Sequence, residues 1–208
     1  MTETSKVKSE LQNKSICVFC GASKVVDEDY YDLARTCGTA LAERKYRLVY
    51  GGGGVGLMGT TAIAAHEAGG KVLGIIPEFL TEIEDVLTSI EHRIVDNMHD
   101  RKHQMYEESD AFIVLPGGIG TLEETIEVIS WLRLHLHSKP IVFLDHDGYW
   151  TPLVTLLMHT IEKGFSPAWV KEHIYHVHRI DDALQMIEAE WANPSHKGNI
   201  QMTDIDLV

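Results

Sequence analysis

The chain has 208 residues, 44% of them hydrophobic, with a formal charge of −13 and a pI near 5.3. That length supports one domain with a full core. The acidic balance argues against a broad nucleic-acid surface, because every phosphate neutralised there needs a nearby Lys or Arg.

The first residues, 1–14, are polar and charged with no apolar stretch of leader type, and no later run nears the ~18 apolar residues of a membrane span. A soluble cytoplasmic protein without a membrane partner is expected. Residues 15–192 read as the folded domain, and 193–208, opening Asn193-Pro194-Ser195, as a loose tail. The three cysteines are an odd number in a chain without a secretory signal, so reduced thiols are expected. Cys17 and Cys20 make a C-x-x-C spacing, but Ile16-Cys17-Val18-Phe19-Cys20 reads as a buried strand, and core packing is the reading for both.

Strands are predicted near 16–20, 46–50, 71–76, 110–115 and 140–144, with weaker ones near 90–95 and 173–178, and helices between them. This alternation calls for a mostly parallel sheet covered on both faces, a doubly wound, Rossmann-like α/β fold in one domain. Turn chemistry follows four of the strands, at Gly21-Ala22-Ser23, Gly51 to Gly54, Pro77 and Pro116-Gly117-Gly118. In open parallel sheets ligands lie beyond the carboxyl ends of the strands, so these turns should line one crevice. Two of them, Gly51 to Gly59 and Pro116-Gly117-Gly118-Ile119-Gly120-Thr121, combine a strand, glycines and a helix start. The first N–H groups of such a helix are unpaired and carry partial positive charge, so a phosphate is the natural occupant. Two phosphate-type turns suggest a nucleotide.

Met98-x-x-Arg101-Lys102-x-x-Met105, Ser109-Asp110-Ala111-Phe112 and Pro116-Gly117-Gly118-Ile119-Gly120-Thr121-Leu122-Glu123-Glu124 closely resemble the LOG family of cytokinin riboside 5′-monophosphate phosphoribohydrolases. The similarity extends back through Val18-Phe19-Cys20-Gly21 and Gly56-Leu57-Met58-Gly59, and forward through Trp131 to Lys139-Pro140 and Gly148-Tyr149. It implies hydrolysis of the N-glycosidic bond of a nucleoside 5′-monophosphate, N6-prenyl-AMP or AMP, to free base and ribose 5-phosphate, with no cofactor. It also implies Arg101 and Glu124 as catalytic residues, and Lys102, Gly117, Gly118, Ile119, Gly120, Thr121 and Glu123 in the substrate-binding stretch. Gly52 and Gly53 join them from the other glycine turn. Ser130 stands where relatives often have threonine, and Glu84, with Glu82 competing, matches an acidic ligand contact. A homodimer is the implied assembly. His135 replaces a residue usually glycine in the family, which bears on the pocket rim.

Other readings compete for the same residues. Thr121-x-x-Glu124 is also a capping box, which by itself explains the glutamate. Arg101 and Lys102 fit a solvated helix face. Gly54-x-Gly56-x-x-Gly59 with Glu78 about 20 residues on fits a dinucleotide fingerprint, though it follows the second strand rather than the first. His99 and His103 share a helix face, yet no Cys or carboxylate pattern accompanies them, so no metal site is expected. A noncatalytic nucleotide or cofactor carrier, of the molybdenum-cofactor kind, is the alternative to an enzyme.

Overall fold

The computed structural model describes residues 14–193. Most of the predicted N-terminal extension and nearly all of the tail lie outside these residues. Seven parallel strands form one sheet: β1 (Ser15–Phe19), β2 (Arg47–Tyr50), β3 (Val72–Pro77), β4 (Glu91–Val95), β5 (Ala111–Val114), β6 (Ile141–Leu144) and β7 (Ile174–Val177). Their order is β4-β3-β2-β1-β5-β6-β7, so the chain winds outward from β1 to one edge, returns to the centre at β5 and winds to the other edge. All seven expected strands are present, the two weaker ones as the edges.

Among the described residues six α-helices cover the sheet: α1 (Glu28–Glu43), α2 (Gly56–Glu67), α3 (Met98–Glu107), α4 (Ile119–Arg133), α5 (Thr151–Glu162) and α6 (Ile180–Ala192). Side chains alternate along each strand, and β1 shows the result. Ile16, Val18 and Cys20 join a core with Leu41 of α1, Ala62 of α2 and Leu184 of α6. Cys17 and Phe19 face the opposite core, with Met105 of α3, and Val128 and Leu132 of α4. Two-sided burial explains why these strands read as continuous apolar runs. Cys17, Cys20 and Cys37 are free and buried, and burial pushes all three thiols well above their ordinary range. The C-x-x-C pair is packing, as the strand reading anticipated.

Among the described residues no helix is long and apolar enough to cross a membrane. The reversal of winding lies between β1 and β5, paired in parallel from Ile16↔Ala111 to Phe19↔Val114. The loops leaving these two strands therefore diverge and open a crevice at the carboxyl end of the sheet, the position where such folds bind ligands.

Candidate active site

A cavity of about 390 Å³ occupies that crevice, within the range of small-molecule sites. Its floor and walls come from the β1 exit (Cys20 to Ser23), the β5 exit (Pro116 to Gly118), the start of α4, and Glu84, Arg101 and Tyr149.

The β5 exit is built for close approach. Gly21 N–H donates to the Pro116 carbonyl at 3.0 Å, tying the two diverging loops together. A Cβ on Gly117 would lie 2.1 Å from Thr121 Oγ1, so only glycine fits there. Gly118 is the N-cap residue of α4 and offers no side-chain cap. The first intrahelical donor is Leu122, to the Gly118 carbonyl at 3.0 Å. The N–H groups ahead of it begin the helix without an intrahelical acceptor and carry the positive end of its dipole.

The helix register also decides the competing reading of Glu124. Because α4 starts at Ile119, Thr121 is inside its first turn, buried beneath the turn it was expected to cap. Glu124 falls in the second turn, on the inward face with Thr121, Thr125 and Val128. The capping box is therefore absent, because glycine occupies the N-cap and shifts the helix start by three residues.

Arg101 reaches the same point from α3. Asn97 caps this helix, its side chain accepting the Asp100 N–H at 2.9 Å, and Arg101 and Met105, one turn apart, are its buried residues. The guanidinium donates from Nε to the Ile75 carbonyl at 3.2 Å and from Nη2 to the Gly51 carbonyl at 3.0 Å. A Cβ on Gly51 would stand 1.9 Å from Nη2. Arg101 is 5% exposed and Glu124 8%, and Arg101 Nη1 lies 3.7 Å from Glu124 Oε1. A solvated helix face is excluded for Arg101. Burial pushes the Glu124 carboxyl up to about 7; the Arg101 charge opposes this, and Glu123 and Glu84 add to it.

Of the two acidic candidates, Glu82 is exposed, whereas Glu84 lines the cavity. Its Oε2 is buried without a hydrogen-bond partner among the described residues, and burial raises its carboxyl against the pull of Arg101.

The second glycine turn packs against protein. Leu57 and Met58, at the start of α2, donate to the Gly21 carbonyl at 2.9 and 3.4 Å, and Gly54 donates to the Glu84 carbonyl at 2.7 Å. Three of its donors are thus spent on protein, and its glycines pack closely against neighbours. Gly52 (φ 84°) would drive a Cβ into Ile76, Gly53 sits against Glu84 Oε2, and Gly54 against the Asp85 carbonyl. Gly52 and Gly53 support the cavity from behind and do not line it. Glu78, the acid of the dinucleotide reading, lies exposed in a short 3-10 turn, outside the cavity lining.

Of the other expected residues, Gly117, Gly118, Gly120 and Thr121 line the cavity. Ile119 is 81% exposed and lies outside the cavity lining. Lys102 pairs with Glu123, and with Glu127 at 3.1 Å, outside the cavity lining. Ser130 is exposed and donates to the Ile126 carbonyl at 2.8 Å, two turns beyond the cavity. His135 also lies off the rim. It follows the C-terminus of α4 at φ 57°, a left-handed conformation natural to glycine, and stacks on Trp169 at 4.4 Å. Val26, Tyr30, Leu57, Met58 and Tyr149 line the cavity unanticipated. Gly148-Tyr149 follows β6 at the carboxyl edge, so the rule that located the other turns also pointed to Tyr149.

The family model described as "Possible lysine decarboxylase" matches residues 58–188. The cytokinin riboside 5′-monophosphate phosphoribohydrolase LOG3 of Arabidopsis thaliana is 42% identical over 92% of this chain and 91% of its own length. The cytokinin riboside 5′-monophosphate phosphoribohydrolase of Rhodococcoides fascians is 43% identical over 85% of this chain and 90% of its own. Among solved structures, the molybdenum cofactor binding protein of Rippkaea orientalis superimposes with a TM-score of 0.65 at 20% identity, covering 85% of this chain and 97% of that one. At that identity the likeness concerns the fold alone.

Proposed function

The chain belongs to the LOG family, and from that membership and the cavity at the β1/β5 reversal we propose that it hydrolyses the N-glycosidic bond of a nucleoside 5′-monophosphate. The products are free base and ribose 5-phosphate. The observation that carries this reading is the buried Arg101–Glu124 pair, which faces the same cavity as the open first turn of α4.

The chemistry follows from where charge develops. The 5′-phosphate takes the N–H groups at the start of α4, where dipole and unpaired donors favour an anion. Glu124, a turn further along the helix, then lies on the ribose side. As the C1′–N bond lengthens, positive charge builds on the ribose and negative charge on the base, and a fixed carboxylate in a site shielded from water stabilises the first. One water is consumed: its oxygen joins C1′ and one proton leaves with the base. A carboxyl with a value of about 7 is suited to passing that proton near neutral pH. Arg101 supplies permanent positive charge, held by two backbone carbonyls, which keeps Glu124 oriented and a share of it ionised.

The lysine decarboxylase description is a poor fit. A pyridoxal-phosphate enzyme needs a lysine for its Schiff base, and among the described residues lining the cavity there is none. A carrier role rests on fold likeness alone.

A homodimer through the α4–α5 layer is part of the proposal. Helix α5 is rich in Leu, Val, Met and Ile, yet none of its residues is fully buried. On and beside this layer Leu134, Leu136, Leu156 and Phe165 are all more than half exposed, a pattern of surface awaiting a partner. Purified protein incubated separately with AMP and N6-isopentenyl-AMP, with free base quantified by chromatography, tests the activity. Release from the prenylated nucleotide supports the cytokinin-activating reaction, and release from AMP alone supports a general nucleotide hydrolase. Binding without release from either overturns the enzyme reading.

A further inference from the structure

The Gly117–Gly118 peptide joins two fixed points. Before it, the Pro116 carbonyl is held by Gly21 N–H; after it, α4 begins. Flanked by two glycines, this peptide meets less steric resistance to rotation than any other in the turn. One contact restrains it directly: the Tyr149 hydroxyl donates to the Gly117 carbonyl at 2.7 Å. In a planar trans peptide the C=O and the following N–H point opposite ways. A phenol that holds the Gly117 carbonyl therefore also sets the direction of the Gly118 N–H.

Tyr149 is itself firmly placed. Asp147 and Gly148 turn the chain with φ of 51° and 77°, and Tyr149 N–H closes that turn on the His146 carbonyl at 3.1 Å. Buried Asp145 then grips the next two residues, accepting Trp150 N–H and the Thr151 hydroxyl, each at 2.9 Å, with His176 Nε2 at 2.6 Å. The Tyr149 ring packs edge-on against Trp150 at 4.9 Å and Tyr30 at 5.9 Å. Although 41% exposed, it directs its hydroxyl to a backbone carbonyl of the glycine turn.

We propose that Tyr149 is a positioning residue for the substrate's 5′-phosphate, locking the Gly117–Gly118 peptide in the orientation that presents the Gly118 N–H to the anion. The role rests on the hydrolase reading above and acts through the turn; Tyr149 does not touch the reacting atoms.

Tyr149→Phe keeps the ring and deletes the hydroxyl. The expected result is a rise of about tenfold in KM for the nucleoside monophosphate and a matching rise in the inhibition constant of ribose 5-phosphate, the value of one hydrogen bond. Turnover changes by less than about threefold, and inhibition by free adenine stays unchanged. Unchanged ribose 5-phosphate inhibition, or an equal weakening of adenine, overturns the proposal, since a merely loosened site would affect both ligands. Calorimetric titration of ribose 5-phosphate into wild type and variant reads the same difference without turnover. A wild-type protein that binds ribose 5-phosphate but releases no base thus removes the hydrolase reading while leaving the effect of Tyr149 measurable.

Discussion

Arg101 Nη1 stands 3.7 Å from Glu124 Oε1, an ion-pair separation outside hydrogen-bond reach. The reason lies in Arg101's other commitments, to the carbonyls of Ile75 and Gly51. The guanidinium contributes charge at a fixed distance without saturating the carboxylate, which keeps its acceptor capacity for substrate or water.

A stability cost of that arrangement is measurable. The folded value of Glu124, about 7, lies above its ordinary 4.5, so the carboxyl holds its proton more tightly in the folded state. The resulting stabilisation is complete below the unfolded value and is lost as pH rises through about 7. Glu124→Gln removes this dependence. Relative to wild type, the variant should gain stability between about pH 5 and about pH 8, by ~1–3 kcal/mol at about 1.4 kcal/mol per unit. Urea denaturation at both pH values checks it; an unchanged difference contradicts it.

Gly51→Ala should impair activity although Gly51 itself does not line the cavity. The added Cβ would stand 1.9 Å from Arg101 Nη2 and displace the guanidinium from its two carbonyls. Turnover should fall by roughly ten- to a hundredfold, and the buried carbonyls left unpaired should lower stability by ~1–3 kcal/mol. Steady-state kinetics and thermal melting measure the two effects, and wild-type turnover would show that the placement of Arg101 does not matter.

Gly117→Ala presses its Cβ on Thr121 Oγ1 and, at 2.9 Å, on the Gly21 backbone nitrogen. The turn must open, so affinity for ribose 5-phosphate should fall at least tenfold. Gly118→Ala meets nothing within 4 Å and is expected to bind far better than Gly117→Ala. Isothermal titration of both variants decides whether close packing, rather than glycine content, makes the anion site.

Leu156→Glu places a charge on the exposed face of α5, where Leu156 is 57% exposed. A single chain should tolerate it, whereas an interface built on that face should dissociate. Light scattering after size exclusion should show a dimer for wild type and a monomer for the variant. A wild-type monomer removes the proposed assembly.

Much of the fold was legible because each buried strand announces itself as an apolar run ending in turn residues. The site was legible unevenly. Arg101 sits on a polar helix beside Lys102, and nothing local distinguishes the buried residue from its ion-paired neighbour; the burial comes from carbonyls of Ile75 and Gly51, distant in sequence. Thr121 and Glu124 matched a capping box because spacing cannot reveal that Gly118 starts the helix three residues earlier. The glycines from 51 to 59 looked like a phosphate turn because glycines that admit a ligand and glycines that admit neighbouring backbone read alike. The carbonyls of Gly21 and Glu84, which accept from Leu57, Met58 and Gly54, are distant in sequence and leave no mark in the pattern.

The role of the Glu124 carboxylate in C1′–N cleavage is tested by two readings on Glu124→Gln: release of free base from N6-isopentenyl-AMP or AMP, and calorimetric affinity for the same nucleotide. Turnover should fall by about a hundredfold or more with affinity within a few-fold of wild type, because charge is lost while shape and phosphate contacts remain. Wild-type turnover in the variant would contradict it, returning Glu124 to a structural role and requiring another group to assist cleavage of the C1′–N bond.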